Sequence, residues 1–284
     1  MTFHLPTAEI FVPDGRPDDE ALARVTHLGI GAHADDLEFM AFHGIRECFR
    51  SETQWFGGVT CTDGAGSARS GTFADCTNEA MAATRREEQR KAATIGRYSA
   101  MVQLDYPSVV AKDSADSRLR ADLAAILAAT HPRVLYTHNL ADKHDTHIAV
   151  AVAVIQAVRA MPRELRPAAV HGCEMWRGLD WLGDDEKIVH DVGGNDALAE
   201  VLNGVFASQI AGGKRYDLAV MGRRRANATF YKSHGIDRSA ALAFAMDLTP
   251  LAHDESLDIG GFVTDAIERF KSDVVAKLKR QLGR

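Results

Sequence analysis

Val25-Thr26-His27-Leu28-Gly29-Ile30, followed at once by Gly31-Ala32-His33-Ala34-Asp35-Asp36, is the stretch on which the fold turns. The first six residues form an apolar run short enough for a buried strand. The next six put a histidine and two carboxylates within four positions, in the loop at that strand's C-terminal end. In open α/β sheets, ligands bind at this end. One such loop can supply metal ligands and still leave a base over. The same residues also have an ordinary use. Aspartate favours helix starts and complements the helix dipole, so His33-x-Asp35-Asp36 reads equally as a helix N-cap.

Outward from this stretch, strands and helices alternate. Residues 36–50 read as a helix, 54–61 as a second strand and 63–75 as a loop rich in Gly, Ser and Ala. Residues 78–98 read as a long helix and 100–104 as a third strand. Residues 115–130 are helical, with Pro132 as a stop, and 133–137 are a fourth strand. A polar loop at 138–146 leads into a helix at 147–160. Strands at 168–173 and 187–191 and helices at 196–211 and 260–282 complete the pattern. This alternation predicts an α/β fold, a mostly parallel sheet with helices on both faces. We expect a single domain over 1–284, with a catalytic core at about 20–212 and an extension at about 213–284.

Composition narrows the function. The net charge of −6 argues against a general nucleic-acid binder. Arg223-Arg224-Arg225 is too short for a binding tail and reads as a solvated turn or an anion contact. Residues 1–14 lack a basic region followed by an apolar core, so no signal peptide is expected. No apolar run approaches the roughly 20 residues of a membrane helix. Cys48, Cys61, Cys76 and Cys173 are scattered without a CxxC pair, which fits a reduced, cytoplasmic protein. The first strand is not followed by G-x-G-x-x-G, and no Walker loop is present. Ser67 and Ser70 lack the G-x-S-x-G elbow of serine hydrolases.

A second polar cluster, Thr137-His138-Asn139-Leu140-Ala141-Asp142-Lys143-His144-Asp145-Thr146-His147, directly follows the fourth strand. Two strand-end loops of a parallel sheet can converge at one edge. A catalytic zinc has three protein ligands and one open position. His33, Asp36 and either His144 or His147 would complete it, with Asp35 left as base for the activated water. A His₂Asp set also accepts iron, cobalt or manganese.

Ala32-His33-Ala34-Asp35-Asp36 resembles the AHPDDE signature of the PIG-L/LmbE-like deacetylases. Asp142-x-His144-x-x-His147 resembles their D-x-H-x-D-H motif. Thr84-Arg85-Arg86-Glu87-Glu88, followed by Ala92 and Gly96, resembles their R-R-x-E…A…G helix motif. The resemblance spans roughly residues 25 to 150. It implies a Rossmann-like fold, a divalent metal (usually Zn²⁺) and removal of acetyl from an N-acetylated amino sugar conjugate. It implies that His33, Asp36 and His147 hold the metal. Asp35 would take a proton from water and return it to the leaving amine. His144 would stabilise the oxyanion or act as an acid, and Arg85 would contact the substrate. Glu88 would brace its helix or pair with Arg85. Relatives often assemble as homo-oligomers.

Three positions depart from the family pattern. Ala34 replaces the usual Pro. Leu37 replaces an acidic residue, with Glu38 one place later. Thr146 replaces the Asp before the final His, so the charge state of His144 loses its expected support. A non-sugar amide substrate, or a metal-binding homologue without activity, are the competing readings.

The glycine-bearing loop 62–70 is expected to face substrate, with Asp63 on sugar hydroxyls or behind the metal. Trp176 and Trp181 read as a stacking wall for a sugar ring or as packing. His27 and His43 read as structural, and Ser208-Gln209 as minor. The stretch 223–234 reads as polar and irregular, able to cover the site or meet a partner subunit, with His234 as a candidate entrant.

Overall fold

In the computed structural model, which describes residues 1–283, the chain forms eight strands and twelve α-helices among the described residues. The first half runs β1 (Glu9–Phe11), α1 (Asp18–Ala23), β2 (His27–Gly31), α2 (Asp36–Met40), α3 (Phe42–Cys48), β3 (Phe56–Thr62), α4 (Asn78–Ile95), β4 (Ala100–Tyr106), α5 (Ser108–Ala111) and α6 (Arg118–Thr130). The second half runs β5 (Val134–His138), α7 (Asp145–Arg159), β6 (Ala169–Cys173), β7 (Lys187–Asp191), α8 (Asp196–Gly204), α9 (Ala207–Ala211), α10 (Tyr216–Phe230), β8 (Leu242–Asp247), α11 (Thr249–His253) and α12 (Ile259–Gln281).

One sheet takes all eight strands in the order β1-β4-β3-β2-β5-β6-β8-β7. The five from β4 to β6 are parallel. β1, β8 and β7 add antiparallel edges. Alternation along each strand sends side chains to opposite faces. Leu28, Ile30, Val59 and Leu135 join α1, α6 and α7 in one core, while Phe56, Met101 and Tyr136 join α2, α3 and α4 in the other. The sheet is therefore covered on both faces, as the alternating pattern predicts.

Glycines let the first loop sit low on the sheet. A Cβ on Gly29 would meet Leu37 Cδ2 at 3.0 Å, and one on Gly58 would meet Leu37 Cδ1 at 2.8 Å. Leu37 fills the hollow left by the two glycines. An acidic side chain at that position would be buried among apolar atoms.

Several expected elements differ. The helix expected at 36–50 divides at Ala41 into α2 and α3. Arg224 donates to the carbonyls of Glu38 and Phe39 at 2.9 Å, capping α2 where a longer helix would have continued. The helix at 196–211 divides into α8 and α9, where Phe206 turns into the core beside Phe39. The stretch 223–234 is helical as far as Phe230, where α10 ends, and irregular only beyond it. α10 buries chiefly Arg224 and Ala228, so it carries little apolar periodicity. β8 has no counterpart in the expected pattern. Its segment is alanine-rich, yet it inserts between β6 and β7. No helix among the described residues is long and apolar enough to cross a membrane.

His27, His171 and His190 are buried near Tyr136. Burial pushes their imidazoles down to about 4, about 4 and about 2. An unfolded histidine protonates near pH 6.5, whereas these remain neutral in the fold. As pH falls below about 6.5, the unfolded chain gains protons first. Stability complete above that pH is then lost at roughly 1.4 kcal/mol per pH unit for each histidine. The urea midpoint is therefore expected to fall between pH 7 and pH 5. His190→Leu should shrink that fall, since His190 Nε2 is buried without a partner. A flat profile in the wild-type chain would contradict this account.

Candidate active site

β2 and β5 are adjacent and parallel, but the chain leaves β2 toward β3 on one side and β5 toward β6 on the other. This is the switch point where α/β sheets open a crevice. The loops after β2 and β5 meet there. The amide of Ala32 donates to His138 Nε2 at 3.0 Å, joining the two strand ends.

Two overlapping triplets bring one donor atom each within 4.8 Å of one another: His33–His144–His147 and Asp36–His138–His147. Lone pairs decide between their members. His138 Nε2 is engaged in either tautomer, as acceptor from the Ala32 amide at 3.0 Å or as donor to Asp36 Oδ2 at 3.2 Å. The Nδ1 of His144 accepts from the Thr146 amide at 3.3 Å, so in the neutral ring the proton lies on Nε2. Neither ring then offers an available lone pair at the centre. His33, Asp36 and His147 remain. His147 Nε2 lies 3.3 Å from His33 Nδ1 and 3.5 Å from Asp36 Oδ1, and His33 Nδ1 lies 3.3 Å from Asp36 Oδ2. Tetrahedral N/O ligands at about 2.0–2.1 Å from zinc stand about 3.4 Å apart. The donor set thus fits a small divalent ion.

Buried carboxylates surround this set. Burial alone would raise the Asp36 carboxyl, but His147 and His138 overcome it and hold Asp36 well below the usual range. His147 Nδ1 faces Asp142 Oδ1 at 3.6 Å. Asp142 also accepts from the amides of His144 and Trp176, both at 3.1 Å. It is thus the orienting carboxylate behind His147, which Thr146 cannot be. Burial, followed by the charges of His33 and His147, pushes the His144 imidazole down and keeps it neutral.

Asp35 stands apart from the donors. Its φ is 92°, a conformation that side chains other than glycine rarely adopt. Its amide donates to Gln89 Oε1 at 3.2 Å, and Gln89 Nε2 donates to Glu38 Oε1 at 2.9 Å. Tyr98 closes this chain by donating to Glu38 Oε1 at 2.6 Å. Asp35 occupies the N-cap position of α2 but makes no capping bond, so the helix-cap use of the motif is not realised. Its carboxylate instead lies 3.3 Å from Arg85 Nη2. Burial pushes the Asp35 carboxyl up to about 8, with Arg85 opposing.

The cavity beside these residues holds about 330 Å³. His33, Asp35, Asp36 and His144 lie at its polar end, and Trp176 and Tyr216 stand in its outer wall. Gly64, Gly66, Ser67 and Ala68 bring the loop after β3 to its rim. Arg85 lines the cavity and also donates to Ser67 Oγ and the Ala34 carbonyl. Asp63 does not line it. It accepts from the Ala65 amide at 3.0 Å and faces a small recess behind Arg85. Glu88 pairs with Ser208, not Arg85, accepting from its amide and hydroxyl at 2.7 Å and so bracing α4 to α9. Gln209 reaches the cavity. The two tryptophans part: Trp176 lines the cavity, while Trp181 packs against the core. His234 is exposed and does not enter. Sequence reasoning assigns no role to His138, Gln89 or Tyr216, all of which shape the site. His138 had a signal in ending a buried strand, whereas Tyr216 had none.

The chain is similar to several solved structures. The conserved protein TT1542 from Thermus thermophilus matches with a TM-score of 0.60 and 17% identity, over 82% of this chain and 99% of that one. An N,N'-diacetylchitobiose deacetylase from Pyrococcus horikoshii, in complex with an inhibitor, matches at 0.58 and 16%, over 77% and 83%. The 4-carboxy-2-hydroxymuconate hydratase GalB from Pseudomonas putida KT2440 matches at 0.58 and 18%, over 80% and 97%. At these identities the likeness establishes a shared fold. No curated protein matches the sequence. Residues 28–158 match the family described as PIG-L: GlcNAc-PI de-N-acetylase. That segment, a little under half of the chain, contains the His33–Asp36, Arg85–Glu88 and Asp142–His147 motifs, and it is similar to that family.

Proposed function

We propose that the protein is a metal-dependent, zinc-using N-deacetylase that hydrolyses the acetamide of an N-acetylated amino sugar conjugate. The observation that carries this reading is the division of labour in one crevice. His33 Nδ1 and His147 Nε2 lie 3.3 Å apart and each meets one oxygen of the Asp36 carboxylate, at 3.3 and 3.5 Å, while the Asp35 carboxyl faces the same cavity without belonging to this set. The similarity of residues 28–158 to a de-N-acetylase family supports the reaction class.

His33, Asp36 and His147 would hold the ion. When bound, a divalent ion supplies Lewis acidity to the amide carbonyl and to water, and its charge favours ionised carboxylates nearby. Asp35 accepts the proton of the attacking water and later delivers it to the leaving amine nitrogen. A carboxyl raised toward neutrality suits both directions of transfer. Arg85 keeps Asp35 in place and aims it into the cavity. His144, neutral with its proton on Nε2, donates to the carbonyl oxygen as negative charge grows there. Asp142 fixes the ring of His147. Asp63, set behind Arg85, shapes the loop that meets the substrate.

A second reading has a specific support: a hydratase shares this fold. The same crevice would then add water to a different bond. A panel of N-acetyl sugars, N-acyl amino acids and unsaturated acids, followed by acetate and amine release, separates the readings. Acetate from the sugars alone is the expected outcome, and no acetate from any member would overturn the proposal.

Asp35→Asn is expected to lower turnover roughly 10²–10⁴-fold with the metal retained. Wild-type rates in that variant would remove Asp35 from the proton path. His33→Ala and His147→Ala should each lose bound metal by elemental analysis. Asp142→Asn should weaken metal affinity roughly 10–100-fold in a chelator competition while thermal unfolding changes little.

A further inference from the structure

Beside the catalytic cavity lies a second, half-open chamber of different character. The chamber holds about 160 Å³ and is bounded by Phe39, Met175, Trp176, Tyr216, Ala219, Val220 and Arg223. Met175, Trp176 and Tyr216 line both spaces, so the two adjoin. The polar catalytic groups stop at this boundary. Trp176 is the divider, with its ring centroid 6.4 Å from that of His144 on one side and 5.7 Å from that of Tyr216 on the other. Phe39 closes the floor, 5.9 Å from Tyr216. The single charged member is Arg223, and its guanidinium is engaged with the carbonyl of Met175.

We infer that the substrate's acetamide-bearing ring is joined to an apolar group of about one aromatic ring, which seats in this chamber. The inference rests on the deacetylase reading of the adjoining cavity. Size and chemistry both support it. A cavity of about 150 Å³ lined by apolar side chains accommodates benzene. A second sugar would set hydroxyls against Phe39, Met175, Ala219 and Val220, whose side chains offer no good hydrogen-bond partner. A flat apolar ring meets the aromatic edges and faces of Phe39, Trp176 and Tyr216 without that cost. The loop carrying Trp176 is held in place from behind by Asp142, so the chamber stays in register with the catalytic residues.

The phenyl and methyl glycosides of N-acetylglucosamine test this on the metal-loaded full chain. Acetate release gives kcat/KM for each, and calorimetry gives their binding. The phenyl glycoside is expected to exceed the methyl one by about tenfold or more in both. Ala219→Glu puts a charge into the chamber from an exposed helix position, and the ratio should fall toward one. Val220→Asp should do the same from the neighbouring position. Equal values for the two glycosides in the wild-type chain, or a ratio that survives both substitutions, would overturn the inference even if both compounds are deacetylated. Tighter phenyl binding that Ala219→Glu abolishes, without acetate release from either compound, would leave the chamber assigned and overturn the deacetylase reading instead.

Discussion

Two parallel strands lie side by side at the middle of the sheet and then part, β2 toward one edge and β5 toward the other. The single hydrogen bond from the Ala32 amide to His138 Nε2 spans the gap where they part. It satisfies a backbone donor that no strand can reach, and it engages the nitrogen that would have made His138 a ligand. The ring of His138 then stacks on His147, with centroids 3.8 Å apart and planes within 15°. The orientation of a proposed ligand therefore descends from the sheet topology through one bond and one stacking contact.

Around this junction, the fold holds a conformation that the chain alone would not keep. A residue such as Asp35 at positive φ costs of the order of 1–3 kcal/mol. The surroundings over-determine it: Gln89 takes its amide, Arg85 takes the carbonyl of Ala34, and Leu37 is locked in the hollow of Gly29 and Gly58. Glu38 anchors Gln89 and Tyr98. Leu37 and Glu38 thus act as a pair. The apolar residue fills the sheet's hollow, and the acidic one ties the loop to α4 and to Tyr98.

Much of this arrangement is legible in the amino-acid sequence. The apolar run at 25–30, the alternation after it and the spacing of the histidines point to the parallel sheet and bring two loops to one edge. The choice among His138, His144 and His147 is not legible from spacing, because it depends on which ring nitrogen faces a backbone amide. That is a property of loop geometry at sub-ångström scale. The outer wall is equally hidden. Tyr216 and Arg224 sit on a mostly polar helix whose apolar spacing is weak, and nothing near residue 216 marks a return to the crevice. Trp176 and Trp181 are five residues apart with similar neighbours, yet one meets the cavity and the other the core. The amide of Trp176, bonded to Asp142, is what holds it there.

The insertion of β8 between β6 and β7 gives the molecule a direction in time. A chain is made from its N-terminus, and residues 27–173 already contain the whole parallel sheet and all three proposed metal ligands. β7 follows soon after, yet its strand partner is β8, which is made after α10. A nascent chain must hold Lys187–Asp191 unpaired until Leu242–Asp247 has emerged. The helix that walls the crevice arrives in that same interval. Synthesis therefore makes the donors before α10, and Tyr216 joins the wall of the crevice only after all three proposed ligands have emerged.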